Sequence, residues 1–300
     1  MRILVTGGTG FIGRALIPLL LNRPETVQAQ PAVTLLLLET FSGQPLPSPL
    51  NQLRPHFDVV YADLRNFNLT VRAVRLAQPD AVIHLAAAGA LDPFLAVETA
   101  VRHNLIGTTH LLRACFEKNT GLQQCIVART PGERSSMNVY AASKAAAWEF
   151  CRLYARTQGW PIHGAMIFQA YGPGQPQQAF VPAAIQAAMA GEDFPMTTGA
   201  QIRDWIYVED VAAGLVRMLE RPLAPGTTVE LGTGTGTSLA EAARLIYQTV
   251  NRGGRPLVGA LPSRPGEDAA QIADAAGTQA LIGWQAKISL AEGIGKLVNG

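Results

Sequence analysis

The chain begins with Arg2-Ile3-Leu4-Val5-Thr6-Gly7-Gly8-Thr9-Gly10-Phe11-Ile12-Gly13, an apolar strand that runs into a glycine-rich turn and then an apolar helix. Glycines permit a tight turn and a close approach of the backbone to a ligand. The first turn of the following helix offers unpaired N–H groups at the positive end of its dipole. The stretch therefore predicts a binding site for a dinucleotide pyrophosphate. Its expected contact residues are Gly7, Gly10, Phe11, Ile12 and Gly13.

Beyond this stretch, short apolar runs alternate with segments whose apolar residues recur at helical spacing. Buried strands are predicted at 3–5, 33–38, 58–61, 81–85, 125–128 and 162–167, and helices near 11–22, 68–77, 95–117 and 138–158. This alternation is typical of an α/β fold with a Rossmann-type doubly wound parallel sheet. After about residue 168 the pattern loosens, which predicts a smaller C-terminal domain. Its expected elements are helices near 180–190, 238–251 and 289–298 and a strand at 228–231.

The composition limits the functions that suit the chain. Lysine and arginine total 24 against 22 aspartate and glutamate residues, without a basic block, so no nucleic-acid partner is expected. Cys115, Cys125 and Cys151 lie in apolar stretches without metal-ligand spacing, which predicts buried free thiols and no metal site. The first strand follows Met1 directly, and the apolar runs are too short to span a bilayer. We therefore expect a cytoplasmic protein without a membrane partner.

An acidic residue follows the second predicted strand. Glu39 lies 26 positions after Gly13, roughly where a carboxylate accepts hydrogen bonds from the adenosine ribose hydroxyls. This favours NAD as the cofactor, because a carboxylate would repel the 2′-phosphate of NADP. Arg14 is the nearest cation in the motif and keeps NADP as the alternative.

Tyr140 and Lys144 stand four residues apart in a predicted helix, so their side chains share one face. A tyrosine phenol titrates near pH ~10 in water, and a nearby cation together with an oxidised nicotinamide would favour its phenolate form. Such a phenol can accept and return a proton near neutral pH. The pair therefore predicts an acid/base site in Tyr140.

The glycine stretch and the Tyr140/Lys144 pair together resemble the extended short-chain dehydrogenase/reductases, specifically the NAD-dependent epimerase/dehydratase branch that acts on nucleotide sugars. The resemblance covers nearly the whole chain. It is also carried by Asp63-Leu64-Arg65, Ile83-His84-Leu85-Ala86-Ala87, Asn104-Leu105-Ile106-Gly107-Thr108, Tyr171-Gly172-Pro173-Gly174, Ile202-Arg203-Asp204-Trp205-Ile206-Tyr207-Val208-Glu209-Asp210-Val211, and Arg264-Pro265-Gly266-Glu267 with Asp274 and Ile282-Gly283-Trp284.

The resemblance implies how the chain divides its tasks. It implies a dinucleotide-binding domain over 1–168, with 204–222 packing back onto it, and a mainly substrate-binding domain over 169–300. Besides the glycine turn and Glu39, the implied cofactor contacts are Asp63, Leu64, Leu85, Ala86, Ala87, Asn104, Tyr140 and Lys144. The implied substrate contacts are Gln169, Val181, Arg203 and Arg264; a guanidinium matches the oxygens of a diphosphate.

Two further expectations accompany this assignment. His84 and His103 are expected to be satisfied core or helix histidines, because no cluster of metal-binding side chains accompanies them. A homodimer is expected from the family resemblance and from alanine-rich faces on helices 95–117 and 141–155, which could pack closely.

The chain also departs from the family pattern after the fifth strand. Relatives usually have a serine or threonine there and then a loop of roughly twenty residues before the tyrosine. Here Tyr140 follows Thr130 by only ten positions. We expect Thr130 to hydrogen-bond the reacting carbonyl, with Ser135 or Ser136 as the alternative. Pro131 stands where the 4,6-dehydratases of the family have an acidic residue for water elimination, so dehydration is disfavoured.

These observations lead us to expect an NAD-dependent nucleotide-sugar epimerase that exchanges a hydride at a hexose carbon, most directly C4. Tyr140 would take and return the hydroxyl proton, Lys144 would hold the nicotinamide ribose, and Thr130 would orient the oxygen. The alternative enzyme is an NAD(P)H-dependent 4-keto-nucleotide-sugar reductase. The alternative from another class is a catalytically silent nucleotide-binding scaffold, which the shortened 129–139 segment keeps open.

Overall fold

The computed structural model describes residues 1–22, 32–92, 94–118, 121–263 and 266–299. The chain divides into two compact units. The first consists of Met1–Met166 and Ala212–Val229, and the second of Ile167–Val211 and Glu230–Gly300. The assignment of cofactor binding to the first unit and of substrate binding mainly to the second stays a proposal.

Thirteen strands are formed in the described residues. They are β1 (Arg2–Thr6), β2 (Ala32–Leu37), β3 (Asp58–Tyr61), β4 (Ala81–His84), β5 (Gln124–Arg129), β6 (Ile162–Ile167), β7 (Gln169–Tyr171), β8 (Phe194–Met196), β9 (Ile202–Tyr207), β10 (Thr228–Leu231), β11 (Gly236–Ser238), β12 (Pro256–Val258) and β13 (Ala270–Gln271).

Eleven α-helices are formed in the same part of the chain. They are α1 (Phe11–Leu21), α2 (Leu50–Leu53), α3 (Phe67–Ala77), α4 (Val97–Ala100), α5 (Gly107–Glu117), α6 (Val139–Gln158), α7 (Phe180–Ala190), α8 (Val208–Leu219), α9 (Leu239–Val250), α10 (Ala275–Ile282) and α11 (Leu290–Asn299). Three short 3₁₀ segments cover Glu39–Phe41, Arg54–His56 and Pro131–Arg134, and a π-helical segment covers Val101–Ile106. None of the helices described here is long and apolar enough to cross a membrane.

The first unit is built on a seven-stranded sheet in the order β10-β6-β5-β4-β1-β2-β3. β1 pairs in parallel with β2 on one side and β4 on the other, so that Leu4 lies opposite Thr34 and Val82. The chain therefore reverses its direction of winding between β1 and β4, where doubly wound sheets bind ligands beyond the carboxyl ends of the strands. This topology confirms the predicted Rossmann-type fold. Cys115, Cys125 and Cys151 are all buried, as their apolar surroundings predicted.

The predicted single helix over 95–117 is interrupted. Residues Val97–Ala100 and Gly107–Glu117 are α-helical, but Val101–Ile106 between them forms a π-helix. A π-helical segment widens the helix locally and is frequent at functional sites. Hydrophobic periodicity gave no sign of it. The segment contains the buried Asn104, whose side chain bonds a loop distant in the chain.

The second unit has a four-stranded sheet in which β9 pairs with β7, β11 and β13, and a separate parallel pair of β8 and β12. Its core contains the rings of Tyr171, Trp205 and Tyr207. The Tyr171 ring meets the other two edge-on, with centroids 6.5 Å from Trp205 and 5.4 Å from Tyr207. Helices α7, α9 and α11 supply the apolar side chains that pack around these rings.

Candidate active site

The glycine turn lies between β1 and α1, and Gly10 caps the helix. Gly7 has a φ of +71°, and a Cβ added to it would lie 2.6 Å from the backbone nitrogen of Ala86. A Cβ on Gly13 would lie 2.5 Å from the Cα of Gly8. Both positions therefore require glycine, since the turn packs backbone against backbone. This is a cradle that side chains would fill, and its N–H groups suit a pyrophosphate.

A cleft of about 300 Å³ opens beside this turn, within the first unit. Seven predicted cofactor contacts line it: Gly7, Gly10, Asp63, Leu64, Leu85, Ala86 and Ala87. The other lining residues are not among the predicted contacts: Thr6, Thr9, Leu36, Leu37, Leu38, Phe41, Ala62, Arg65 and His103. The other seven predicted contacts are not among the residues that line it: Phe11, Ile12, Gly13, Glu39, Asn104, Tyr140 and Lys144. The cleft thus brings together the loops that follow β1, β2, β3 and β4.

The end of this cleft at Asp63 carries charge. The Arg65 guanidinium contacts the Asp63 carboxylate, with its Nε 2.9 Å from each oxygen, and holds the pKa of that carboxyl below its usual range. Glu39 begins the 3₁₀ turn after β2 and is exposed, while Leu38 and Phe41 on either side of it line the cleft. The contacts of Asp63 and Glu39 with the cofactor stay predictions.

His84, the last residue of β4, is fully buried and bonded through both ring nitrogens. Its Nδ1 lies 2.6 Å from the hydroxyl of Thr6, and its Nε2 lies 2.9 Å from the hydroxyl of Thr108. The Thr108 hydroxyl donates to the Asn104 carbonyl at 2.6 Å and so accepts from Nε2–H. Nδ1 therefore accepts from Thr6, which fixes the tautomer. The histidine joins β1 to α5 as a core residue, in line with the expectation from sequence.

Burial lowers the pKa of His84 from 6.5 to about 3, and the charge of Lys144 acts in the same direction. Below pH 6.5 the unfolded chain therefore binds a proton that the folded protein excludes until pH is near 3. The free energy of unfolding should fall with decreasing pH in this window, by about 1.4 kcal/mol per pH unit from this group. Urea unfolding at several pH values measures this slope.

In the variant His84→Gln, the change of the free energy of unfolding per pH unit should be smaller by about 1.4 kcal/mol, the contribution of one proton. This holds whatever the absolute stability of the variant. The exposed His56 provides the control, and His56→Gln should keep the wild-type slope. An unchanged slope in His84→Gln would show that His84 is not the group responsible.

Asn104 lies at the π-helical segment and is fully buried. Its amide oxygen accepts from the N–H of Ala88 at 2.8 Å, and its nitrogen donates to the Ala88 carbonyl at 3.0 Å and to the Ser143 hydroxyl at 2.9 Å. The side chain therefore ties the loop after β4 to α6. This geometry indicates a role in holding the cleft together; a direct contact with the cofactor stays a prediction.

Helix α6 carries both Tyr140 and Lys144. Asn138 caps the helix by accepting from the N–H of Ala141 at 2.8 Å, which places Tyr140 in the first turn. Lys144 is buried, and burial lowers its pKa while the charge of Glu133 opposes that shift. Burial raises the pKa of Tyr140 to about 12, and Glu133 adds to this rise.

Burial and the charge of Glu133 therefore both act against the phenolate form of Tyr140. That Lys144 and an oxidised nicotinamide together favour the phenolate stays a prediction.

The short segment between Thr130 and Tyr140 forms the 3₁₀ turn Pro131–Arg134. Thr130 directly follows β5 and is half-buried, whereas Ser135 and Ser136 are exposed. The Ser136 backbone has a φ of +53°, and its N–H donates to the Glu133 carbonyl at 3.4 Å. Glu133 is buried in this turn and is the group that the sequence analysis missed. It lies two residues after Pro131 in a polar stretch of the sequence.

Three of the four predicted substrate contacts lie in described parts of the second unit. Arg203 is buried in β9, where its Nη1 donates to the carbonyls of Ile202 and Asp268 at 2.9 Å each. Gln169 begins β7 and lies opposite Trp205 in the sheet. Val181 is buried in the first turn of α7. Arg264 lies outside the described residues.

Asp204, next to Arg203, is a buried carboxylate that connects several segments of the second unit. In the sequence it stands out only as part of the motif at 202–211. Its carboxylate is fully buried and accepts four hydrogen bonds. Three come from the Thr233 N–H, the Thr233 hydroxyl and the Gly234 N–H, at 2.7, 2.7 and 2.8 Å. The fourth comes from the N–H of Ala273 at 3.1 Å. The loop after β10 is thereby joined to β9 and to the segment after β13.

Comparison with known proteins gives matches over the full length. The model of the NAD dependent epimerase/dehydratase family matches residues 3–232. A probable dTDP-glucose 4,6-dehydratase of Sinorhizobium fredii is 29% identical, over 100% of this chain and 92% of its own. The UDP-glucose 4-epimerase of Thermotoga maritima, solved with UDP-glucose, is 23% identical with a TM-score of 0.85, covering 100% of this chain and 98% of its own. The UDP-glucose 4-epimerase of Thermus thermophilus, solved with NAD, is 25% identical with a TM-score of 0.82, covering 100% of this chain and 98% of its own.

Proposed function

Since this chain belongs to the NAD dependent epimerase/dehydratase family, we propose that it is a nucleotide-sugar epimerase that exchanges a hydride at a hexose carbon, most directly C4. Family membership confirms the resemblance read from the motifs, the enzyme class and NAD as the cofactor. The choice of epimerisation within the family is the proposal.

One observation carries this choice. Glu133 is the sole acidic residue in the sequence from 129 to 140, and its carboxylate is occupied by the Arg129 guanidinium and the Thr130 N–H. Pro131 stands beside Thr130 and supplies no proton. Water elimination needs an acid next to the sugar in addition to the tyrosine, whereas epimerisation needs only hydride exchange and one acid/base.

The residues of the chain would then act as follows. The glycine turn at Gly7 and Gly13 fits a pyrophosphate, and NAD, when bound, supplies the hydride acceptor. Tyr140 takes the proton of the C4 hydroxyl and later returns it, while Lys144 holds the nicotinamide ribose. Thr130 donates a hydrogen bond to the sugar oxygen as it becomes a carbonyl.

Substrate contacts in the second unit are part of the same proposal. Arg203 uses Nη1 for two backbone carbonyls, and its buried guanidinium suits the diphosphate of a nucleotide sugar. Gln169, Val181 and Arg264 are proposed as further contacts to the substrate.

Incubation with UDP-glucose or dTDP-glucose and NAD in heavy water, followed by proton NMR, tests the proposal. An epimerase yields the C4 epimer without deuterium at C5 and without net formation of NADH. A dehydratase removes the C5 proton, so its 4-keto-6-deoxy product carries deuterium there. A reductase leaves both glucose nucleotides unchanged and consumes NADH stoichiometrically in a parallel incubation with a 4-keto nucleotide sugar, and a scaffold binds without turnover in either incubation. Any of these last three results contradicts the proposal.

We also propose that the chain forms a homodimer. Ile106 before α5 and both Phe150 and Leu153 on α6 expose more than a third of their surface, on the helices for which close packing was expected from sequence. Burying such side chains would favour association. Sedimentation at micromolar concentration tests this, and a single monomeric species would contradict it.

A further inference from the structure

We propose that Arg129 and Glu133 are positioning residues of the reaction, whose buried ion pair fixes the backbone of Thr130 and holds a negative charge in the turn that packs against the first turn of the Tyr140 helix. This inference deepens the proposed function and rests on it. Neither side chain is assigned a contact with the substrate or the cofactor.

The pair has a defined geometry. Both Nε and Nη2 of Arg129 lie 2.9 Å from Glu133 Oε2, and the side chains are only 13% and 1% exposed. The other carboxylate oxygen of Glu133 accepts the Thr130 N–H at 2.9 Å. The Glu133 N–H in turn donates to the Thr130 carbonyl at 3.1 Å. The residue proposed to orient the substrate oxygen is therefore held on both sides of its backbone by one buried glutamate.

The arginine lies in a socket formed by three other elements. Its guanidinium lies 4.4 Å from the centroid of the Trp148 ring on α6, and its Nη1 donates to the hydroxyl of Thr228 at 2.8 Å. Gly164 on β6 provides the space, because a Cβ there would lie 2.7 Å from Arg129 Cδ. Helix α6 and strands β6 and β10 thus determine where Glu133 lies.

Stability alone does not explain this arrangement. Removing two charges from water costs several kcal/mol per ion in a protein interior, and apolar replacements of buried ion pairs are often as stable or more so. What the pair supplies is a fixed position for the short segment. In a segment of only ten positions from Thr130 to Tyr140, the relation between β5 and α6 depends on such a fixed turn.

The turn also acts on Tyr140. It packs against the first turn of α6, where a Cβ on Gly132 would lie 3.3 Å from the Cβ of Ala141. The charge of Glu133 raises the pKa of Tyr140. The neighbouring Lys144 interacts electrostatically with Glu133, Arg129, Cys151 and His84. Glu133 raises the pKa of Lys144 and Arg129 lowers it. Removing the charge of Glu133 should therefore lower the pKa of Tyr140.

The variant Glu133→Gln tests this, because glutamine keeps the size and the oxygen that accepts the Thr130 N–H. Carbon-13 NMR of the tyrosine Cζ in the NAD-loaded protein, assigned with Tyr140→Phe, should give a lower Tyr140 pKa than in the wild type. The acidic limb of the kcat profile should move to lower pH by a similar amount, with a smaller change in KM.

Two more variants complete the experiment. The double variant Arg129→Met/Glu133→Gln removes both charges and provides a folded protein if the single variant, with its unpaired arginine, does not fold. Its Tyr140 pKa should fall as well. Glu149→Gln breaks the exposed ion pair with Arg152 on the same helix and should leave the Tyr140 pKa unchanged.

The outcomes separate the two levels of the proposal. A Tyr140 pKa that stays at the wild-type value in Glu133→Gln and in the double variant overturns the positioning role. A lowered pKa in a protein that turns over no nucleotide sugar supports this inference about the ion pair and contradicts the proposed function.

Discussion

Replacing Tyr140 by phenylalanine is expected to lower kcat by about 10²- to 10⁴-fold, because it removes the group proposed to carry the proton. The phenyl ring keeps the shape of the half-buried side chain. The backbone carbonyl of residue 140 still accepts the Ser143 hydroxyl, so α6 should fold as before. Steady-state kinetics with the nucleotide sugar that the protein accepts measure the loss of kcat. Calorimetric titration of NAD shows whether the variant is still folded and binds the cofactor.

The matched control is Tyr154→Phe, on the same helix. The Tyr154 ring stacks on Trp160 with centroids 4.6 Å apart and has no assigned part in the reaction, so its variant should keep wild-type kcat. If Tyr140→Phe retained more than about a tenth of wild-type kcat, a loss too small for a lost acid/base, another group would have to move the proton.

Replacing Asp204 by alanine should lower the free energy of unfolding by at least about 3 kcal/mol, since three backbone N–H groups and one hydroxyl lose a buried acceptor. At roughly 2–4 °C per kcal/mol, this corresponds to a decrease in Tm of about 6–12 °C. Thermal and urea unfolding followed by circular dichroism measure the loss. The carboxylate joins Thr233, Gly234 and Ala273 to β9, so the effect belongs to the second unit.

Glu209→Ala provides the comparison for this variant. Glu209 is an exposed acidic residue at the start of α8, 3.8 Å from Lys296, and its removal should change the free energy of unfolding by less than about 1 kcal/mol. If both variants lowered the free energy of unfolding by the same amount, the four hydrogen bonds of Asp204 would contribute no more to stability than an exposed ion pair.

The glycine turn could be read from the sequence because its reason is local. Gly7 and Gly13 are needed where backbone meets backbone, and such a turn always follows a strand and precedes a helix in this fold. The strands of the first sheet were likewise evident from their apolar runs. The burial of Glu133 was not evident, since it is paired with Arg129, and Arg129 is held by Trp148 and by Thr228, which lie in elements distant in the chain.

The π-helical segment at Asn104 was missed for a related reason. Its amide is bonded to Ala88 and Ser143, and these partners lie 16 and 39 residues away in the chain. Periodicity describes how a helix presents one face and contains no information about a side chain that bonds a distant loop.

The amino-acid sequence by itself determined the doubly wound sheet, the dinucleotide turn and the Tyr140/Lys144 pair, because each depends on residues near one another in the chain. The tertiary structure decided the surroundings of these groups: the tautomer of His84, the raised pKa of Tyr140 and the burial of Glu133. Burial and charge act through space, so their effects follow from which elements pack together. The proposed acid/base was thus legible in the sequence, whereas the charge that tunes it became visible only in the fold.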